Sequence, residues 1–137
     1  MIHEHNGIRY TDCHAGEKYK YRLLRAYTYL TPIMLSDPIA TLYLSLKDGR
    51  LVVAQDYAWD GPSGLSIDTE NFRRGSLVHD ALYQLCRELY LDYKIHRDIA
   101  DRLLQQICVE DGMWRIRAAW VYQGVHIFGE KYARPAW

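Results

Sequence analysis

Alternation is the first pattern along the chain. From Thr41 to Leu46, Leu42, Leu44 and Leu46 fall on one side and Thr41, Tyr43 and Ser45 on the other, the period of a half-buried strand. Lys47-Asp48-Gly49-Arg50 follows with the Asp-Gly pair of a tight hairpin turn, and Leu51 to Tyr57 reads as the returning strand. Upstream, Tyr19 to Leu30 reads as one long strand rich in tyrosine and leucine. Pro32 and Pro38 mark the irregular stretch between that strand and the hairpin.

Further on the period becomes helical. Val78, Ala81, Leu82, Leu85 and Leu89 recur at helical spacing from about Arg73 to Tyr90. Asp92 is placed to cap a second helix whose stripe is Ile95, Ile99, Leu103 and Ile107, and Gly112 is a natural stop. A third helix, from about Met113 to Phe128, has Trp114, Ala118, Val121, Val125 and Phe128 in register, and its centre is expected to be buried. The short connection at Leu91-Asp92 predicts that the first two helices are antiparallel neighbours. Strands first and helices second predict an α+β fold, with N-terminal antiparallel strands and a hairpin packed against a C-terminal bundle of about three helices. A single domain spanning 1–137 is expected, since 137 residues suffice for one core.

Composition narrows the function classes. Seventeen basic residues balance seventeen acidic ones, so no global field favours nucleic acid or an anionic membrane. The aromatic-basic run Tyr19-Lys20-Tyr21-Arg22 is therefore read as a solvated strand face rather than a base-stacking platform. Cys13, Cys86 and Cys108 are an odd number without Cys-x-x-Cys spacing, which argues against a disulfide framework or a structural zinc site. Nowhere do about 18 apolar residues run together, and Met1 to Gly7 has neither a basic start nor an apolar h-region, so neither a transmembrane segment nor a signal peptide is expected. Twelve tyrosines and four tryptophans call for a broad aromatic surface or a packed aromatic core, and the core is the better supported.

The candidate chemistry gathers around His79-Asp80. His79 shares a helical face with Tyr83 and Cys86 beside the apolar stripe, where an imidazole is partly buried. Asp80 adds a carboxylate able to hold a hard cation, and Tyr83, one turn on, can hydrogen-bond what His79 faces. On the second helix Asp101 lies at the edge of the apolar stripe, whereas Asp98 falls with Arg102 and Gln105 on the outer face. Asp101 can accept a hydrogen bond from one nitrogen of His79, fix its tautomer and leave the other as a general base for water. The plainer alternative is an Arg97–Asp101 surface pair. The loop Tyr57-Ala58-Trp59-Asp60-Gly61-Pro62-Ser63-Gly64 has glycines that let backbone groups approach a ligand, though an ordinary turn has the same composition.

Three separated motifs now stand in order: Trp59-Asp60-Gly61-Pro62-Ser63-Gly64, Arg74-Gly75-Ser76-Leu77-Val78-His79-Asp80-Ala81-Leu82-Tyr83, and Arg97-Asp98-Ile99-Ala100-Asp101. From about Tyr57 onward the chain resembles the DUF1353 family, small proteins common in bacteriophage and prophage genomes. The resemblance implies a phage or prophage origin, with residence in the bacterial host cytoplasm or on the virion. More loosely, His-Asp-x-x-Tyr on one helix with an aspartate on its antiparallel neighbour is similar to the site of secreted phospholipase A2. That resemblance implies that His79 activates water, that Asp101 orients His79 with support from Tyr83, and that Asp80 holds calcium with loop donors at Tyr57, Trp59, Asp60 and Gly61. The chain departs from it with Asp60-Gly61-Pro62 where that calcium loop has cysteine and glycine, and Pro62 removes a backbone donor.

Three functions are therefore open. One is a calcium-dependent hydrolase of a lipid or small ester, with Tyr19, Tyr21, Tyr27 and Tyr29 as an interfacial surface. The second is a metallohydrolase of the HD phosphohydrolase type, which fits poorly because His3, His5 and His14 lie in a non-helical segment. The third is a non-catalytic phage accessory or virion-associated module, partnered by phage structural or lysis proteins, in which His79, Asp80, Asp101 and Asp60 form a structural polar network.

Overall fold

Eight antiparallel strands and four helices are found among the described residues, 1–60 and 69–135, of the computed structural model. The fold is α+β, as the order of the two periodicities predicts. The chain divides into two units, Met1–Asp60 and Gly61–Trp137; the strands belong to the first and the helices to the second.

The strands are β1 (Ile2–His5), β2 (Ile8–Asp12), β3 (Tyr21–Leu23), β4 (Tyr27–Leu30), β5 (Ile39–Ala40), β6 (Leu44–Lys47), β7 (Arg50–Val53) and β8 (Ala58–Trp59). They form two four-stranded sheets, ordered β1-β2-β3-β8 and β4-β7-β6-β5. The Asp-Gly hairpin is present as predicted. Lys47 pairs with Arg50 across a turn in which Asp48 and Gly49 have φ of 50° and 80°. A Cβ on Gly49 would also lie 2.5 Å from the Thr31 carbonyl oxygen, so glycine is required twice over. Asn6-Gly7, at φ 54° and 83°, makes the equivalent turn between β1 and β2.

Three strand expectations are corrected. Tyr19 to Leu30 is not one strand, because β3 and β4 pair into different sheets. Leu42 is 85% exposed rather than in line with buried Leu44 and Leu46. Thr41 closes a local turn there, its amide donating to the Leu44 carbonyl at 2.8 Å and its hydroxyl accepting from the Leu44 amide at 3.0 Å, so the strand starts only at Leu44. Leu51 to Tyr57 breaks after Val53, and Asp56 at φ 74° redirects the chain so that β8 joins β3 in the other sheet. Tyr21 packs with Tyr10 and Trp59 at centroid distances of 5.4 and 5.5 Å, all three buried. The aromatic-core expectation holds for them, and Tyr21 cannot serve an interfacial surface.

The helices are α1 (Glu70–Arg87), α2 (Tyr93–Glu110), α3 (Arg115–Phe128) and the single-turn α4 (Glu130–Ala133). The side chain of Asp92 accepts from the Lys94 amide at 2.9 Å, and Gly112 at φ 101° follows the end of α2, as the sequence predicts. α1 and α2 run antiparallel and close. Arg74 grips Asp111 through two hydrogen bonds of 3.0 and 2.9 Å at one end, and a Cβ on Gly75 would meet Leu104 at 3.0 Å and Cys108 at 3.2 Å.

The α2 core keeps Leu103 and Ile107 of the predicted stripe and widens it to Leu104 and Cys108. Ala100, Asp101, Leu103, Leu104, Ile107 and Cys108 are buried, whereas Ile95 is exposed, as is Leu89 beyond the end of α1. In α3 only Ala118 and Val121 are buried. The expectation of a buried centre fails because the opposite side carries Ile116, Trp120 and Ile127, all exposed, so the helix is apolar on both sides and packed on one. No described helix is long and apolar enough to cross a membrane.

Candidate functional site

His79 projects from the middle of α1 and Asp101 from the first half of α2, both inside the interface between those helices: His79 is 7% exposed and Asp101 0%. Helical spacing accounts for the meeting. In an antiparallel pair joined by a short loop, residues equidistant from the connection come level, and the period of 3.6 turns both side chains to the seam.

His79 Nε2 lies 2.8 Å from Asp101 Oδ1, and the Tyr83 hydroxyl donates to the same oxygen at 2.6 Å. A carboxylate can only accept, so Nε2 carries a proton and Nδ1 is the basic nitrogen of the neutral ring. The Tyr83 ring lies against the imidazole, with centroids 4.0 Å apart and planes tilted by 38°, which fixes the orientation of the ring. Gly129, between α3 and α4, leaves the room this needs: a Cβ there would be 2.8 Å from the Tyr83 hydroxyl.

Electrostatics sharpen the roles. Burial alone would push the His79 pKa down, but the Asp101 hydrogen bond and then the Asp80 carboxylate outweigh it and hold the ring above the ordinary histidine value. Burial, joined by the Asp101 charge, pushes the Tyr83 phenol far up, so it stays a donor. Cys86 and Cys108 are driven up to about 12, chiefly by burial, and so are unreactive thiols.

The sequence-predicted residues fare differently. His79, Asp101 and Tyr83 come together as expected, with one refinement: Tyr83 serves Asp101 directly. The Arg97–Asp101 pair is replaced, since the Arg97 guanidinium donates to the His126 carbonyl. Asp80 is half-buried with Oδ1 3.9 Å from His79 Nδ1, beside the basic nitrogen but outside hydrogen-bond reach. Tyr57, Trp59 and Asp60 belong to the first unit, where the Tyr57 carbonyl accepts from the Leu23 amide at 2.9 Å and Trp59 is packed in β8. Gly61 lies outside the described residues. Among the described residues no group of three or more histidine, cysteine or acidic side chains could hold a metal ion.

Sequence reasoning missed His126. On α3, its Nδ1 stands 3.5 Å from Asp98 Oδ1 and 3.6 Å from Asp101 Oδ2. Tyr122, one turn earlier, stacks on its ring at 5.3 Å and donates to Asp98 Oδ1 at 2.5 Å, while Arg102 donates to Asp98 Oδ2 at 2.7 Å. Asp98 therefore faces α3 rather than solvent alone. The signal available was the Tyr122–His126 spacing of four, two polar aromatics on one side of a helix otherwise read as apolar.

No family model matches the chain, and neither a curated protein nor a solved structure matches it.

Proposed function

We propose that His79 and Asp101 form the general-base pair of a hydrolytic site, with Nδ1 of His79 as the base. The neutral ring takes a proton from water as the water attacks an ester carbonyl, and Asp101 meets the positive charge that develops on the imidazole. Tyr83 keeps that carboxylate in place. The observation that carries the reading is the 2.8 Å contact of Nε2 with Asp101, which leaves Nδ1 as the basic nitrogen. The substrate class is a lipid or small ester, following the phospholipase resemblance.

Calcium belongs to this proposal at one point. Asp80, beside Nδ1, is the residue that would hold a hard divalent cation, and such a cation when bound would polarise the ester carbonyl. Of the other donors that the resemblance implies, the Tyr57 carbonyl already accepts from the Leu23 amide. A phage or prophage origin is carried by the resemblance to the DUF1353 family alone; the second and third of its motifs, Arg74–Tyr83 and Arg97–Asp101, lie on α1 and α2.

A second reading, a non-catalytic module with a structural network, is favoured by the complete burial of Asp101. One experiment separates the two. Hydrolysis of a short-chain nitrophenyl ester and of phospholipid vesicles is followed with calcium and with chelator, for wild type and His79→Gln. Hydrolysis that falls about 10²–10⁴-fold in His79→Gln supports the base. No hydrolysis of either substrate, with a lowered melting temperature in His79→Gln, leaves the structural network.

A further inference from the structure

Asp101 makes both of its hydrogen bonds through Oδ1. Its other oxygen, Oδ2, is buried without a hydrogen-bond partner, an arrangement that costs free energy in a folded interior. His126 Nδ1 stands 3.6 Å from it, just outside hydrogen-bond reach.

We propose that His126 is a positioning residue for the His79 site, its Nδ1–H clamping Asp101 Oδ2 so that one buried carboxylate is shared between two histidines. Two contacts place His126 at that spot, a ring stack and a tie to its backbone, and one carboxylate competes with Asp101 for its Nδ1. Tyr122 stacks on one side with the planes 15° apart, Asp98 Oδ1 lies 3.5 Å from the same Nδ1, and Arg97 ties the His126 carbonyl to α2. A small swing of the imidazole from Asp98 toward Asp101 closes the hydrogen bond. With Oδ2 clamped, the carboxylate cannot rotate about its Cβ–Cγ bond, and Oδ1 stays on His79 Nε2 and the Tyr83 hydroxyl. α3 thereby becomes part of the site. The catalytic meaning of the clamp rests on the proposed role of His79 as base; the clamp itself does not.

The test reads the hydrogen bond rather than turnover. In the full chain with ¹⁵N-labelled histidine, the His79 Nε2–H proton is expected as a downfield resonance protected from solvent exchange. His126→Phe keeps an aromatic ring on Tyr122 but removes the donor, and is expected to speed exchange of that proton about tenfold or more, the scale of one hydrogen bond to a charged group. His126→Gln, whose amide can donate to Oδ2, is expected to restore protection. His126→Ala serves in place of His126→Phe if the larger ring disturbs folding, as judged by circular dichroism. Unchanged exchange in the folded donor-less variant overturns the clamp, as does a glutamine variant no better protected than that variant. If exchange responds as expected but no ester is hydrolysed, the clamp stands and the hydrolytic reading falls. If hydrolysis depends on His79 but exchange ignores His126, the reverse holds.

Discussion

The ring of His79 and the carboxylate of Asp101 meet at 2.8 Å in a seam between two helices, with Asp101 fully removed from solvent. Deleting the acceptor strands two buried donors, His79 Nε2–H and the Tyr83 hydroxyl. Asp101→Ala is therefore expected to lose about 3–5 kcal/mol, read as a lower denaturation midpoint at unchanged slope. Asp101→Asn keeps one acceptor and should lose less stability while still depressing hydrolysis.

Tyr83→Phe tests the second donor alone. The ring that packs on His79 stays, and one hydrogen bond to a charged oxygen goes, so a loss of about 1.5–3 kcal/mol is expected. Because Nδ1 is untouched, hydrolysis should fall less than in His79→Gln, a ranking that steady-state rates on the same ester will check.

The pH dependence follows from the raised pKa of His79, for which burial is outweighed by Asp101 and Asp80. A histidine raised on folding stabilises most when protonated. Its contribution is complete below the unfolded value of about 6.5 and disappears as pH rises through the higher folded value. The melting-temperature gap between wild type and His79→Gln should accordingly narrow from mildly acidic to alkaline pH. Hydrolysis should run the other way, increasing as the neutral ring accumulates; a rate that falls over that range removes His79 as the base.

Gly129→Ala probes the space around Tyr83. The added carbon would sit 2.3 Å from the Val125 carbonyl oxygen and 2.8 Å from the Tyr83 hydroxyl. Backbone and a hydrogen-bonded phenol must both move, so a loss of about 1–3 kcal/mol is expected in thermal or chemical unfolding. Gly16→Ala, whose Cβ meets nothing within 4 Å but which sits at φ 92°, separates crowding from backbone strain.

What could be read from the sequence was local or strictly periodic. The Asp48-Gly49 turn, the Asp92 cap and the Gly112 stop each depend on a few neighbouring residues, and each is where the chain says it should be. The His79–Tyr83–Asp101 cluster was legible because helical spacing and a short connection suffice to bring those positions level. The division of Tyr19–Leu30 between two sheets depends on which distant strands compete for it, and no local pattern encodes that choice. Leu42 was misread because the turn between Thr41 and Leu44 delays the start of the strand until Leu44. His126 was missed because its significance lies in Asp98 and Asp101, more than twenty residues away.

Sharing a single carboxylate has an evolutionary corollary. His79 and Tyr83 each rely on the same oxygen of Asp101, so changing Asp101 leaves two donors unmet, and changing either donor weakens the hold on the carboxylate that the other depends on. Replacing all three by well-packed apolar side chains carries no such penalty and can be close to neutral. Drift at these positions should therefore be concerted, the three residues surviving or vanishing together, with few viable intermediates between the two states.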